Sequence, residues 1–476
     1  VSFEIFQRYR PIIDDWPAFI DALNRPLPIC IWANTSRISA NQLHKRLTRD
    51  GIVAEPVAWY PGAFRLPANV KVGNRIEYLA GLCHVQEEVA LLPAVLLDPQ
   101  PGERVLELCA APGNKAAQMS LRMQQRGTII ANDFNHNRMR AFRHNIERLG
   151  LMNISATLQE AVSYPKQPQR FDRVLVDVPC SCEGTSRKSP EVLTHGNTTN
   201  LERLQYGILR RGLQLCEPGG RVVYSTCTYA PEENEVVVQR ALDSLSPKIH
   251  ARILEVDLPG MQWSPGLENW NGTRFRRDMR NAIRIYPHQN DTGGFFVAVI
   301  ERLNGSSFDT KSPTTDLRAE DPELNSAEAA AHLNYLEDHF GIPRLAFEPF
   351  RFFRANTKSI SIIDREHQTQ VNPYFAGLPF IHTNMNYPKL STAAALTFGK
   401  HATRNVVHLS HFHAEEYLMG KTLFDAVKNL NEGYVFVKEE EITLGMGVFF
   451  QHQGTTELRS SFPKAWQLAG SSETHL

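Results

Sequence analysis

Two short segments place a cysteine just past an apolar, strand-like run: LVDVPCSCEGTSRK at 175–188 and VVYSTCTYAPEENE at 222–235. In the first, Cys180 follows Asp177 and Pro179. In the second, Cys227 stands between Thr226 and Thr228, ahead of a helix expected to start near Pro231. A thiolate is a strong nucleophile, and a helix N-terminus or cations such as Arg187 and Lys188 would favour it. One buried cysteine is ordinary packing. Two at equivalent strand ends point to covalent chemistry. Zinc is the rival use, since Cys180, Cys182, Cys216 and Cys227 can be drawn as four ligands. The paired CxxC knuckles of structural zinc sites are missing, and no metal is expected.

A third segment, ELCAAPGNKAAQM at 107–119, reads as a strand end, a tight turn and a helix. Ala110, Ala111 and Gly113 leave room for a ligand against the backbone, and Pro112 restricts the turn. Free N–H groups at the helix start can hold an anionic group. Neither GxGxxG nor GxxxxGK[ST] is present. Asp133 ends the next strand-like run, GTIIAND, where doubly wound folds bind ribose hydroxyls. Loop and acid together point to an adenosine-bearing cofactor.

The elements that must position these residues are legible. The runs 104–108, 127–133, 154–158, 172–178, 220–226 and 293–301 are short and apolar, and amphipathic stretches such as 135–149 and 201–216 lie between them. This alternation predicts a doubly wound, mostly parallel α/β sheet over 99–302. Residues 1–98 read as an α/β accessory domain. It has a helix through Trp16, Phe19, Ile20 and Leu23, a strand at 29–34, and a helix at 84–98 kinked at Pro93. The polar stretch 303–325 reads as a linker. Residues 326–476 read as a separate β-rich domain.

Composition is consistent with this picture. The 476 residues carry 51 basic and 51 acidic side chains and are 42% hydrophobic, which suits two to four globular domains. The longest apolar run, 89–97, is short of the roughly 20 residues of a membrane helix. The first residues lack a secretory pattern. An odd count of seven cysteines argues against a disulfide framework and for a reducing cytoplasm.

With these residues in place, the chain resembles the Nop/Sun family of S-adenosylmethionine-dependent RNA cytosine-C5 methyltransferases. The matching pieces are CAAPGNK (109–115), Asp133, DVPCS (177–181), STCT (225–228) and RIYPHQNDTGGFFVA (284–298), in family order. The resemblance implies a Rossmann-like class I methyltransferase domain with Cys227 as nucleophile. Cys180 would assist breakdown of the covalent adduct, and Asp177 would sit between cofactor and base. It places S-adenosyl-L-methionine on Cys109, Ala110, Ala111, Pro112, Gly113, Asn114, Lys115, Asp133, Asp177 and, by position, Glu160. The chain departs from the family at Asn114, usually Ser, at Cys182, usually Gly, and at Glu160, often Asp.

The two thiols make chemical sense. Cytosine C5 is a poor nucleophile, and thiolate addition at C6 gives C5 the electron density to attack a methyl sulfonium. Asp177, protonated or sharing a proton, would stabilise charge on the N3 edge.

The partner would be tRNA or rRNA, with tRNA slightly favoured, and neither a membrane nor an obligate protein partner is expected. The target base must be unpaired or flipped. Arg274, Phe275, Arg276, Arg277 and Arg280 interleave charge with aromatic surface just before His288, and are expected to contact RNA. Arg138, Arg140, Arg143 and Arg148 read as an exposed helix face. The segments 433–450 and 458–466 resemble a PUA-like RNA-binding barrel. His408, His411 and His413 read as a strand-borne cluster without metal. The rivals are a DNA cytosine-C5 methyltransferase and a non-catalytic RNA-binding or ribosome-assembly factor.

Overall fold

The computed structural model describes residues 3–166, 170–193, 201–246, 249–303, 324, 326–368, 373–383, 388–425, 430–452 and 455–467. The expected linker falls outside them except at its residues 303 and 324.

The middle of the chain builds β1 (Arg104–Glu107), β2 (Thr128–Asn132), β3 (Ile154–Thr157), β4 (Phe171–Asp177), β5 (Cys216–Thr226), β6 (Ile283–Ile285) and β7 (Phe295–Leu303). Their order across the sheet is β3-β2-β1-β4-β5-β7-β6. The first five are parallel. β7 runs antiparallel to β5, and β6 antiparallel to β7. The strands read as unbroken apolar runs because helices cover both faces. Side chains alternate between two cores. Val105, Ile129, Ala131, Leu175 and Val223 enter one. Leu106, Ile130, Val174, Val176, Val222 and Tyr224 enter the other.

Helices α1 (Asn114–Arg122), α2 (His136–Leu149), α3 (Leu201–Leu215) and α4 (Glu235–Asp243) fall between strands. The α2 start is set by Asn135, whose side chain accepts from the N–H groups of Asn137 and Arg138 at 3.0 and 3.1 Å. Its end is set by Gly150, at φ 73°. Strand order reverses between β1 and β4, which opens a crevice beyond their carboxyl ends. The expected Rossmann-like class I architecture is present.

The N-terminal segment holds the expected helix and strand, but 84–98 is not one helix: Cys83–Val85 is a strand of the sheet and Glu88–Leu91 a 3-10 turn. Pro93 does not kink a helix; it stands in the first turn of Leu92–Leu97, where its missing N–H costs nothing. The four-stranded N-terminal sheet is seated on the end of α2 through Arg148, which is 1% exposed rather than on an open face. Its guanidinium donates to the Cys83 carbonyl at 3.1 Å and to His84 Nδ1 at 2.7 Å.

The C-terminal region holds two sheets among the described residues. One has four strands, between Phe350 and Leu390, and the other has five, between Val406 and Ser460. The first is not separate from the central domain. Phe375–Ala376 pairs with β3, and the His367 ring lies 3.1 Å from both the Asn153 carbonyl and the Ser155 hydroxyl. Residues Ile360, Phe380 and Phe398 share one continuous core with the central sheet.

The histidine cluster is not strand-borne. His408 lies in the strand Val406–Leu409, but Ser410 caps a helix, His411–Leu418, that carries the other two. No helix of the described residues is long and apolar enough to cross a membrane.

Candidate active site

Because β4 and β5 are parallel neighbours with Asp177 opposite Ser225, the chain leaves both strands at the same edge. Cys180 and Cys227 follow directly, and their Sγ atoms lie 3.4 Å apart. Cys182 Sγ is 3.9 Å from Cys180 Sγ. The two loops are tied to each other and to the TGG turn at 292–294. The Gly184 N–H donates to the Cys227 carbonyl, and the Gly294 N–H donates to the Gly184 carbonyl, both at 2.9 Å. A Cβ on Gly184 would sit 2.3 Å from the Gly294 oxygen, so only glycine allows this approach. Glu233 accepts from the Ser181 N–H at 3.0 Å and the Gln205 amide at 2.8 Å, which pins the first loop.

Asp177 is held on both oxygens. Lys115 Nζ donates to one at 2.7 Å, and the Ser225 hydroxyl donates to the other at 2.6 Å. Lys115 comes from the start of α1, so the cofactor loop and the thiol loops meet at this ion pair. The expected electrostatic help is placed differently. The helix after Cys227 begins at Glu235, not near Pro231. Arg187 turns away and donates to the Thr292 carbonyl and to Asp291, and Lys188 is exposed.

Three sulfurs so close share their protons. Hydrogen bonds with Cys182 and Cys227, then burial, push the Cys180 thiol up. Cys182 is pulled down because both neighbours can donate to its thiolate. For Cys227, the bond with Cys180 favours the thiolate, but Cys182 and burial outweigh it and push the thiol up.

The cofactor loop lies at the carboxyl ends of β1 and β2. The Ala110 N–H donates to the Asn132 carbonyl at 2.7 Å, and the Ala111 N–H to Asp133 at 3.2 Å. Gly113 has φ 101°, and a Cβ there would meet the Phe142 ring at 2.9 Å. Cys109 is half-buried, and burial pushes its thiol up. Asp133 is 2% exposed and also accepts from the Asn135 N–H at 2.9 Å. The Asn114 side chain faces His84 Nε2 at 2.9 Å, so it anchors the N-terminal domain. The Pro112 carbonyl accepts from the Asn145 amide at 3.0 Å. Glu160 is exposed past β3.

Three contributors escaped the sequence reading. Glu107, at the end of β1, is 1% exposed, and its Oε2 has no hydrogen-bond partner. Burial pushes its carboxyl well up, against the pull of Lys115. An acid closing an apolar strand beside the glycine loop was the available signal. Glu87 accepts from the Gly293 N–H at 2.9 Å, and burial raises its carboxyl to about 7. Tyr9 donates to Glu183 at 2.7 Å, so the N-terminal arm braces the Cys180 loop. Nothing in one sequence marks the last two contacts.

Three of the residues expected to contact RNA are engaged within the protein instead. Phe275 is 6% exposed and packs in the core, so it offers no ring to a base. Arg276 is paired with Asp278. Asp278 also accepts from the Ile253 N–H at 3.0 Å, and Ile253 is level with Ile300 on β7. Thr226 is level with Phe296, so this contact lies about 13 Å down the strand from the thiol edge, at roughly 3.3 Å per residue. Arg274, Arg277 and Arg280 are exposed. His288 is bonded to Asp14 at 2.9 Å with 8% of its side chain exposed, and it stacks on Tyr286. Arg138, Arg140 and Arg143 are exposed as expected, and Arg138 also reaches the Ala111 carbonyl and lies 3.4 Å from Asp133. The four-cysteine zinc drawing fails, because Cys216 opens β5 and Cys227 follows its far end.

A family model described as 16S rRNA methyltransferase RsmB/F matches residues 94–301, and one for the N-terminal domain of 16S rRNA methyltransferase RsmF matches residues 4–88. The chain belongs to the RsmB/F (Nop/Sun) family of RNA cytosine-C5 methyltransferases. The resemblance drawn from the motifs is borne out at this level. This RsmB/F-family enzyme is similar to the tRNA (cytosine(49)-C(5))-methyltransferase of Pyrococcus abyssi, 35% identical over 63% of this chain and 96% of that one. It is also similar to ribosomal RNA small subunit methyltransferase F of Aeromonas salmonicida, 28% identical over 90% of this chain and 89% of that one. A solved methyltransferase homologue from Pyrococcus horikoshii is 32% identical and superposes with a TM-score of 0.53, covering 64% of this chain and 100% of that one.

The RsmB/F family uses S-adenosylmethionine. The crevice fits it: Ala110, Ala111 and Gly113 keep bulk away from the backbone, and the unpartnered Glu107 oxygen is a buried acceptor beneath the loop.

Proposed function

We propose that this enzyme methylates C5 of a cytosine in small-subunit ribosomal RNA through a covalent adduct at Cys227. The observation that carries the reading is the 3.4 Å approach of the Cys180 and Cys227 sulfurs, beside Asp177 and at the edge where the cofactor loop ends. Bound S-adenosylmethionine supplies an electrophilic methyl group. The Cys227 thiolate adds to C6 of the target base, and C5 takes the methyl group. The C5 proton then passes to water, its bonding pair closes the C5–C6 double bond, the C6–S bond breaks, and Cys227 recovers its electron pair. Cys180 assists this last step from hydrogen-bond distance. Asp177, held by Lys115 and Ser225, meets the N3 edge of the base. The residues 109–115, Asp133 and Glu160 hold the cofactor, with Glu107 beneath them.

The choice of ribosomal RNA rests on coverage. The N-terminal domain model and the Aeromonas relative, both named for small-subunit rRNA, together account for the accessory domain and nine-tenths of the chain. The tRNA preference drawn from SCEGTSRK and DTGGFF keeps the support of the Pyrococcus relative, which spans 63% of this chain. Exposed Arg274, Arg277 and Arg280, and the five-stranded sheet with its PUA-like sequence, would serve outlying phosphates. Free cysteines throughout suit a cytoplasmic setting.

Methyl transfer from labelled S-adenosylmethionine to small-subunit rRNA and to tRNA, read by bisulfite sequencing, tests this. A single converted-resistant cytosine in the rRNA is expected. Methylation of tRNA alone would overturn the choice of substrate, and none on either would overturn the reaction.

A further inference from the structure

The reaction has no use for Cys182, yet its sulfur stands with the other two. The Sγ atoms of Cys180, Cys182 and Cys227 all lie within 4.8 Å of one another. Two of the separations are 3.4 and 3.9 Å. Thiolates bound to one zinc ion at about 2.3 Å in a tetrahedral set stand about 3.8 Å apart. Small side-chain movements would bring these three onto such a set. Cys182 also has φ 60°, a left-handed conformation in which glycine is cheaper than cysteine. The fold thus tolerates a cysteine at a position suited to glycine, and its sulfur completes the triangle.

We propose that Cys180, Cys182 and Cys227 form a binding site for a thiophilic d10 cation, zinc in the first instance, and that the bound cation silences the enzyme by occupying its nucleophile. Three thiol protons pass to solvent as three metal–sulfur bonds form, and no electrons are exchanged. The site keeps one coordination position for water. Cys30, Cys83 and Cys216 are buried elsewhere and cannot join it. The silencing rests on the reading of Cys227 as nucleophile; the binding does not.

The probe for binding is cadmium, titrated into the reduced full chain and followed by its thiolate-to-metal charge-transfer absorption. One equivalent should saturate the band. Cys182→Gly suits the left-handed backbone and should keep the fold, and it should weaken cadmium binding at least tenfold. Absence of the band, or equal affinity in Cys182→Gly, would overturn the site. The probe for silencing is zinc. One equivalent should stop methyl transfer, a chelator should restore it, and Cys182→Gly should need at least ten times more zinc for the same inhibition. Metal bound at these sulfurs with methyl transfer intact would overturn the silencing. It would refute the nucleophile assignment while leaving the metal site standing.

Discussion

The thiol loops and the arginine-rich segment 274–280 meet opposite fates. Cys180 and Cys227 are distant in sequence, yet their sulfurs nearly touch. The arginines precede the TGG turn by only 12 to 18 residues, yet Asp278 among them is bonded well down the sheet from the thiol edge. Parallel neighbouring strands deliver their carboxyl ends to one edge whatever lies between them. Closeness along the chain gives no such guarantee, because β6 and β7 run in opposite directions. Convergence in an α/β protein is thus read from strand direction rather than from sequence distance.

The sharpest way to break this comparison is at the nucleophile. Cys227→Ala should lower methyl transfer on the order of a thousandfold or more while leaving S-adenosylmethionine affinity unchanged by calorimetry. Near-normal turnover would remove Cys227 from the chemistry. A smaller loss is expected from Lys115→Ala, which leaves Asp177 with Ser225 as its remaining side-chain donor. Misplacing a group at the reacting edge costs roughly a hundredfold in kcat; a change under threefold would show that the ion pair does not position Asp177. The smallest effect belongs to the other region. Arg277→Ala with Arg280→Ala should shift KM for RNA less than about threefold and reduce the salt slope of binding by at most about two. A loss in kcat would mean that this segment reaches the active edge after all.

The catalytic sheet was legible because parallel strands buried on both faces read as continuous apolar runs, and the motif residues sit where those runs stop. Its thiols, Asp177 and the 109–115 loop could be named for the same reason. The electrostatic partners could not. Arg187 and Lys188 are near Cys180 in sequence, but the left-handed turn at Cys182 and the short 3-10 helix after it carry them away. Lys115 arrives from another strand end, which only the folded sheet discloses. Phe275 was misread because a ring between arginines looks the same in sequence whether it faces a base or a core. The C-terminal half was the least legible. A single capping serine, Ser410, turns a strand-like histidine pattern into a helix. A two-residue strand, Phe375–Ala376, joins that half to the catalytic sheet without any periodic signal.

The shared pocket of the two thiols is tested most directly by Cys180→Ala incubated with substrate RNA and S-adenosylmethionine, then resolved on a denaturing gel. The account predicts a denaturation-resistant protein–RNA adduct that disappears when Cys227→Ala is added. Free RNA released at the normal rate, or an adduct that persists in the double variant, would contradict it.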